Sequence, residues 1–147
     1  MRVIRLAVPD NPVPKARQRI TAIGGHARSY TPKDSKDLIH KEKIRNVAKC
    51  WYKDDPYEGA VKVDCTFYLQ RPKSHYRTGK FAGMLKDTML DKYHTSKPDR
   101  DNLDKLVLDS LTGYIWKDDS QVVTGVIRKE YADHRPETVI LITFLEE

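Results

Sequence analysis

Cysteine is nearly missing from the 147 residues: there are two, Cys50 and Cys65. Two thiols so placed make neither a disulfide framework nor a zinc-ligand spacing, and both read as small apolar residues. Long apolar runs are missing as well. No stretch approaches the eighteen or so residues needed to cross a bilayer, so no membrane partner is expected. The first residues, Met1-Arg2-Val3-Ile4-Arg5, lack the apolar run and small-residue cleavage site of a secretory signal. A reducing cytoplasm is the expected compartment. Internal repeats and dividing linkers are missing too, and at roughly 150 residues per domain the chain reads as one compact domain over 1–147. Arg77-Thr78-Gly79-Lys80 lacks the glycine spacing and helix context of a phosphate-binding P-loop, so no nucleotide cofactor is expected.

What is plentiful is charge, and it is unevenly spread. Lys and Arg number 27 against 21 Asp and Glu, for a net of +6. Residues 1–53 carry 13 basic and 4 acidic side chains, whereas residues 98–147 carry 6 and 11. A basic N-terminal third suits a polyanionic partner, and an acidic C-terminal third suits surface asymmetry or carboxylates gathered for chemistry. Charge alone does not choose.

Periodicity supplies the elements. Arg2 to Val8 alternates as a strand, and Pro9, Pro12 and Pro14 break it. The basic stretch from Lys15 through Gly24-Gly25 to Lys33 reads as an extended arm or irregular hairpin. Asp34–Trp51 predicts a helix with a basic outer face, and Val61–Gln70 alternates as the clearest strand, ended by Pro72. Residues 73–98 are long for a structureless connection and are expected to be functional or partly helical. Asp101–Leu111 predicts the best helix, stopped by Gly113, and strands follow at Gln121–Lys129 and Thr138–Leu145. The order implies an α/β (α+β) domain with a mixed sheet packed against helices. Trp51 and Trp116 are expected in the core or a subunit contact.

The densest chemistry lies in Lys97-Pro98-Asp99-Arg100-Asp101-Asn102-Leu103-Asp104-Lys105. Asp101 suits an N-cap and Asp104 partly imitates a capping box, which accounts for two carboxylates but not for Asp99 outside the helix. If residues 99–101 run extended into the helix, Asp99 and Asp101 point the same way. Lys105 lies one helical turn from Asp101, and Asp118-Asp119 return after a short reversal. Converging carboxylates repel one another unless a cation intervenes, and hard divalent ions prefer such oxygens. Spacing alone leaves both readings open: helix caps with surface salt links, or a metal site.

The motif set sharpens this. Pro98-Asp99-Arg100-Asp101-Asn102-Leu103-Asp104-Lys105, then Leu108-Asp109-Ser110-Leu111-Thr112-Gly113, then Trp116-Lys117-Asp118-Asp119-Ser120-Gln121-Val122 closely resemble the RusA family of Holliday-junction resolvases. Pro12-Val13-Pro14-Lys15-Ala16-Arg17, Tyr30-Thr31-Pro32 and Ser74–Lys80 extend the likeness over essentially the whole chain. The resemblance implies a homodimeric, magnesium-dependent endodeoxyribonuclease, with manganese able to substitute, that cuts four-way DNA junctions symmetrically in recombination and repair. It implies catalytic roles for Asp99, Asp101, Lys105 and Asp119, with Asp99, Asp101, Asp119 and auxiliary Asp118 on the metal. Asp109 is expected to support the helix or Lys105. Where Arg100 stands, the family often has an aliphatic residue. Lys15, Arg17, Arg19, Lys33, Lys73, Arg77 and Lys80 are candidate DNA contacts. Two alternatives remain beside this: a less selective structure-dependent nuclease, and a non-catalytic DNA-binding accessory protein.

Overall fold

A computed structural model describes residues 1–16, 19–30 and 35–147. Arg17 and Lys33, two of the expected DNA contacts, lie outside the described residues. The elements follow the predicted order. Strand β1 is Val3–Pro9, β2 Arg19–Ile23 and β3 His26–Tyr30; helix α1 is Lys36–Trp51 and β4 Val61–Leu69. Helix α2 is Arg100–Leu111, β5 Val122–Thr124, β6 Ile127–Tyr131 and β7 Glu137–Phe144. The basic arm is a regular antiparallel hairpin, β2–β3, in which Ile23 faces His26 across Gly24-Gly25.

The main sheet runs β1-β7-β4, antiparallel throughout, and β5 and β6 both add to the free edge of β4 in parallel. Strict alternation makes one face of this sheet apolar. Leu6, Val8, Val61, Val63, Phe67, Ile140, Ile142 and Phe144 are buried there. Both helices cover that face. Helix α2 contributes Leu103, Leu106, Val107 and Leu111, and α1 contributes a narrower stripe of Ile44 and Ala48. The other face is more open, with Arg5, Leu141 and Asp64 side by side in register.

One expected strand needs correction. The strand predicted at Gln121–Lys129 is two strands separated at Gly125. That residue has φ 154, and a Cβ on it would come 1.8 Å from the Val63 carbonyl oxygen. Asp64 Oδ1 accepts the Val126 N–H at 2.8 Å, and Cys65 donates to the Val126 carbonyl at 2.9 Å, so β4 stitches the break closed. Trp116 is fully buried in the core, one of its two expected places, whereas Trp51 at the end of α1 is 68% exposed and lies outside the core, which leaves the subunit-contact half of its expectation. Cys65 is buried and Cys50 is exposed, so only Cys65 serves the core.

The connection between β4 and α2 is neither helix nor formless loop. It carries short 3-10 turns at Lys73–His75, Gly79–Phe81 and Asp87–Met89. Arg71 is buried at its base and donates to the carbonyls of Met89 at 2.9 Å and Asp91 at 2.8 Å, with its guanidinium over the Tyr131 ring. Buried charge is tolerated where hydrogen bonds replace water, and here they tie the start of the loop to its Met89–Asp91 segment.

Candidate active site

Helix α2 begins one residue earlier than its sequence pattern suggests, and this rearranges the acids. Asp99, not Asp101, is the N-cap residue; it is extended, and its carbonyl accepts the Leu103 N–H at 3.2 Å. Asp101 is already in the first helical turn. Residues 99–101 are therefore not a continuous extended segment, and the two-residue alternation expected to bring Asp99 and Asp101 together does not operate. Helical geometry instead groups Asp101, Asp104, Lys105 and Leu108 along one side of α2.

On that side, Lys105 Nζ lies 3.6 Å from Asp101 Oδ2, with both side chains more than 60% exposed. An exposed pair of this kind contributes little stability, about 0.3–0.5 kcal/mol for an i,i+4 helix pair. Its lysine is accessible to an anionic ligand. Asp104 turns inward. It lines a cavity of about 330 Å³ together with Asp119, Leu108, Val63 and the Val122–Gly125 segment. Burial raises the Asp104 carboxyl above its usual range, against the opposing hydrogen bond from the Cys65 thiol and the charge of Arg100. Sequence reading assigned Asp104 only a capping part. Its place one turn after Asp101 and one turn before Leu108 was the available signal.

Asp118 and Asp119 arrive on the turn before β5. Asp118 closes a capping box: its carboxylate accepts the Ser120 N–H at 2.9 Å, and Gln121 Oε1 accepts the Asp118 N–H at 2.8 Å. Hydrogen bonds from the Ser120 N–H and hydroxyl hold Asp118 below the usual carboxylate range. Gln121 Nε2 donates to the Tyr57 and Gly59 carbonyls, which anchors the turn to the segment before β4.

Asp99 opens elsewhere, onto a cleft of about 590 Å³ between the Asn11–Lys15 segment and the starts of both helices. Lys15, Lys36 and Lys97 line it. The chain is tied there from both sides: Lys15 N–H donates to the Asn102 carbonyl at 3.0 Å, and Ala16 N–H donates to buried Asp37 Oδ2 at 3.1 Å. The root of the basic arm is thus fixed beside Asp99. Lys129 of β6 holds the approach to Asp99, donating to the Ser96 and Pro98 carbonyls, both at 2.7 Å. No sequence signal marked Lys129; Lys36 belongs to the basic face of the predicted helix and Lys97 opens the Asp-rich segment, but only the returning loop brings them to one cleft.

Asp109 does not serve Lys105. Its Oδ2 accepts from Lys41 Nζ of α1 at 2.8 Å, with Lys15 at 4.0 Å, so it joins the two helices. Burial would raise its carboxyl, but Lys41, Lys15 and Arg45 outweigh this and bring it below the usual range. Arg100 is exposed and donates to the Ile127 carbonyl at 3.4 Å, unlike the aliphatic residue expected from the resemblance. Lys73, Arg77 and Lys80 are exposed on the long loop, and Arg19 opens β2.

A magnesium ion needs oxygen ligands, and it commonly keeps several waters while taking one or two protein carboxylates and substrate phosphates. The donors fit in kind: Asp99, Asp101, Asp118 and Asp119 are exposed carboxylates, of which Asp99 and Asp119 line clefts. Among the described residues no three acidic, histidine or cysteine side chains are gathered about one point.

Comparison with known proteins agrees with the motifs. The family Endodeoxyribonuclease RusA matches residues 9–143. The chain is also similar to "Uncharacterized protein YqaN" of Bacillus subtilis (strain 168), at 32% identity over 142 residues, covering 97% of this chain and 96% of that protein. Acids on an α2 start packed against a mixed sheet, and a family match over nearly the full length, lead to one conclusion: the chain belongs to the RusA family of endodeoxyribonucleases.

Proposed function

We propose that this protein is a magnesium-dependent endodeoxyribonuclease that binds four-way DNA junctions and resolves them by paired cuts, as a homodimer. The observation that carries the reading is the juxtaposition at the start of α2. Asp99 opens on a cleft lined by three lysines, Asp101 pairs with an accessible Lys105 on the next turn, and Asp119 opens on a second cavity, which Asp104 of the same helix also lines. Lysines around an acid suit a phosphodiester, whose charge a carboxylate alone would repel.

Asp99, Asp101 and Asp119, with Asp118 as auxiliary, would hold the metal, which requires the Asp99 and Asp119 side chains to converge from the separate clefts on which they open. When bound, magnesium supplies Lewis acidity toward the phosphate and a more acidic water. The protein's own groups do the rest. Lys15, Lys36 and Lys97 bind the backbone phosphates and orient the strand along the cleft. Lys105 exchanges its weak pairing with Asp101 for the scissile phosphate, where its charge counts most as negative charge develops. The Asp118 capping box and the Gln121 bonds keep the turn bearing Asp119 from drifting.

The test compares a four-way junction with linear duplex and single strand, in magnesium and in EDTA, for the native protein and Asp101→Asn. Junction-selective, magnesium-dependent cutting is expected, falling at least a hundredfold in Asp101→Asn while junction binding persists. Equal cutting of all substrates would identify a less selective nuclease. Binding with no cutting by the native protein would identify an accessory DNA-binding protein.

A further inference from the structure

The loop between β4 and α2 contains a second charged surface, apart from the acids. From Cys65 to Lys86 there is no Asp or Glu, but there are Arg71, Lys73, Arg77, Lys80 and Lys86. Within it the chain folds back as a small hairpin. Tyr76 bridges Leu85 antiparallel, Arg77 N–H donates to the Met84 carbonyl at 2.7 Å, and Lys86 N–H donates to the His75 carbonyl at 2.9 Å. Arg71 clamps the loop's base, and His75 packs edge-on against Tyr131 of β6 at 5.0 Å. This hairpin is held in place rather than trailing in solvent.

Its tip presents Phe81, which is 48% exposed and lies outside the hydrophobic core. The Arg77 guanidinium is 5.2 Å and the Lys80 ammonium 6.0 Å from its ring centroid. An aromatic ring kept in water by a folded support contributes little to that fold. Beside two cations, it has the two parts of a single-strand contact: a surface on which a base can stack and charges for the flanking phosphates. The absence of acids favours a polyanion over an acidic or apolar protein face. Along β6, the hairpin's base at Tyr131 is four residues from Ile127, where Arg100 of α2 is bonded, or roughly 13 Å. The two surfaces can therefore meet one DNA molecule.

We propose that the Tyr76–Lys86 hairpin is a branch-contacting element, in which Phe81 stacks on an unstacked base of the DNA while Arg77 and Lys80 hold adjoining phosphates. This rests on the proposed junction-binding function. Fully stacked duplex offers Phe81 no base face except at its ends, so the element discriminates branched from linear DNA.

The experiment measures anisotropy of the native protein, Phe81→Ala, Phe81→Trp and Arg77→Ala/Lys80→Ala on a four-way junction and on a linear duplex, in EDTA. A second junction carries 2-aminopurine at the branch. Phe81→Ala should bind the junction about tenfold more weakly and the duplex within twofold of native. It should also lose the native change in 2-aminopurine emission, and Phe81→Trp should restore both. Arg77→Ala/Lys80→Ala should weaken both substrates and lower the salt slope by roughly two. Unchanged junction binding by Phe81→Ala, or equal loss on both substrates, overturns the hairpin's role while the nuclease reading stands. Equal affinity of the native protein for junction and duplex overturns both. Thermal unfolding of each variant, expected to match native because Phe81 is outside the core, separates contact loss from misfolding.

Discussion

Asp104 shows how one residue's setting departs from its place in a motif. Spacing makes it a cap-like acid, and packing puts it half-buried beside Cys65 in the cavity that also holds Asp119. Because burial raises its folded pKa, the unfolded chain gives up this proton more readily than the folded one. The sign follows from proton counting: below the unfolded pKa both forms are protonated, and stability is lost as pH rises through the folded pKa. Asp104→Asn should therefore raise the melting temperature at pH 7 and leave it nearly unchanged near pH 3. Equal stabilisation at both pH values would show that charge burial is not the cause. Asp109 has the opposite sense. Its lowered carboxyl stabilises above the unfolded pKa, and that contribution is lost as pH falls through the folded value, when its bonds to Lys41 and Lys15 weaken.

At the scale of elements, the stretch after β4 was the least readable part of the sequence. Regular periodicity is absent there, because its order comes from tertiary anchors: Arg71 on the Met89 and Asp91 carbonyls, and Lys129 on those of Ser96 and Pro98. Such bonds join residues about 20 to 30 positions apart and leave no local trace. The β5–β6 break is similar in kind. Valines on both sides of Gly125 read as one strand, but the close Val63 carbonyl permits no side chain there and the backbone adopts φ 154. Gly125→Ala should cost on the order of 3 kcal/mol in urea unfolding, since it imposes both a clash and backbone strain. It should also lower cleavage, because β6 carries the lysine that holds the approach to Asp99. Native stability in this variant would refute the close approach.

At the scale of the molecule, the charge division acquires a location. The root of the basic arm and the start of α1 bring Lys15 and Lys36 to Asp99, so sequence-distant basic and acidic segments meet at one cleft. A net charge of +6 gives general attraction to DNA, and affinity should fall steeply between 50 and 200 mM salt. Paired symmetric cuts need two sites, and a twofold dimer supplies them. Sedimentation equilibrium should give twice the 17.1 kDa chain mass at micromolar concentration. An active enzyme that remains monomeric under the cleavage conditions would exclude the dimeric arrangement.

The sequence by itself determined the element types, the family and the residues worth testing. Strand alternation, helical spacing and the Asp-rich motif are local patterns, and local patterns survive without coordinates. It placed the start of β4 and the last residue of α2 correctly, and the end of β4 to within one residue, because alternation and the Gly113 stop are strong local signals. Only the tertiary structure decided that Asp99 caps α2, that Asp104 rather than Asp99 shares a cavity with Asp119, and that Asp109 serves Lys41. Those outcomes depend on which surfaces the β4–α2 connection and the parallel addition of β5 and β6 bring face to face. Such packing is a property of the whole chain, which no window of residues contains.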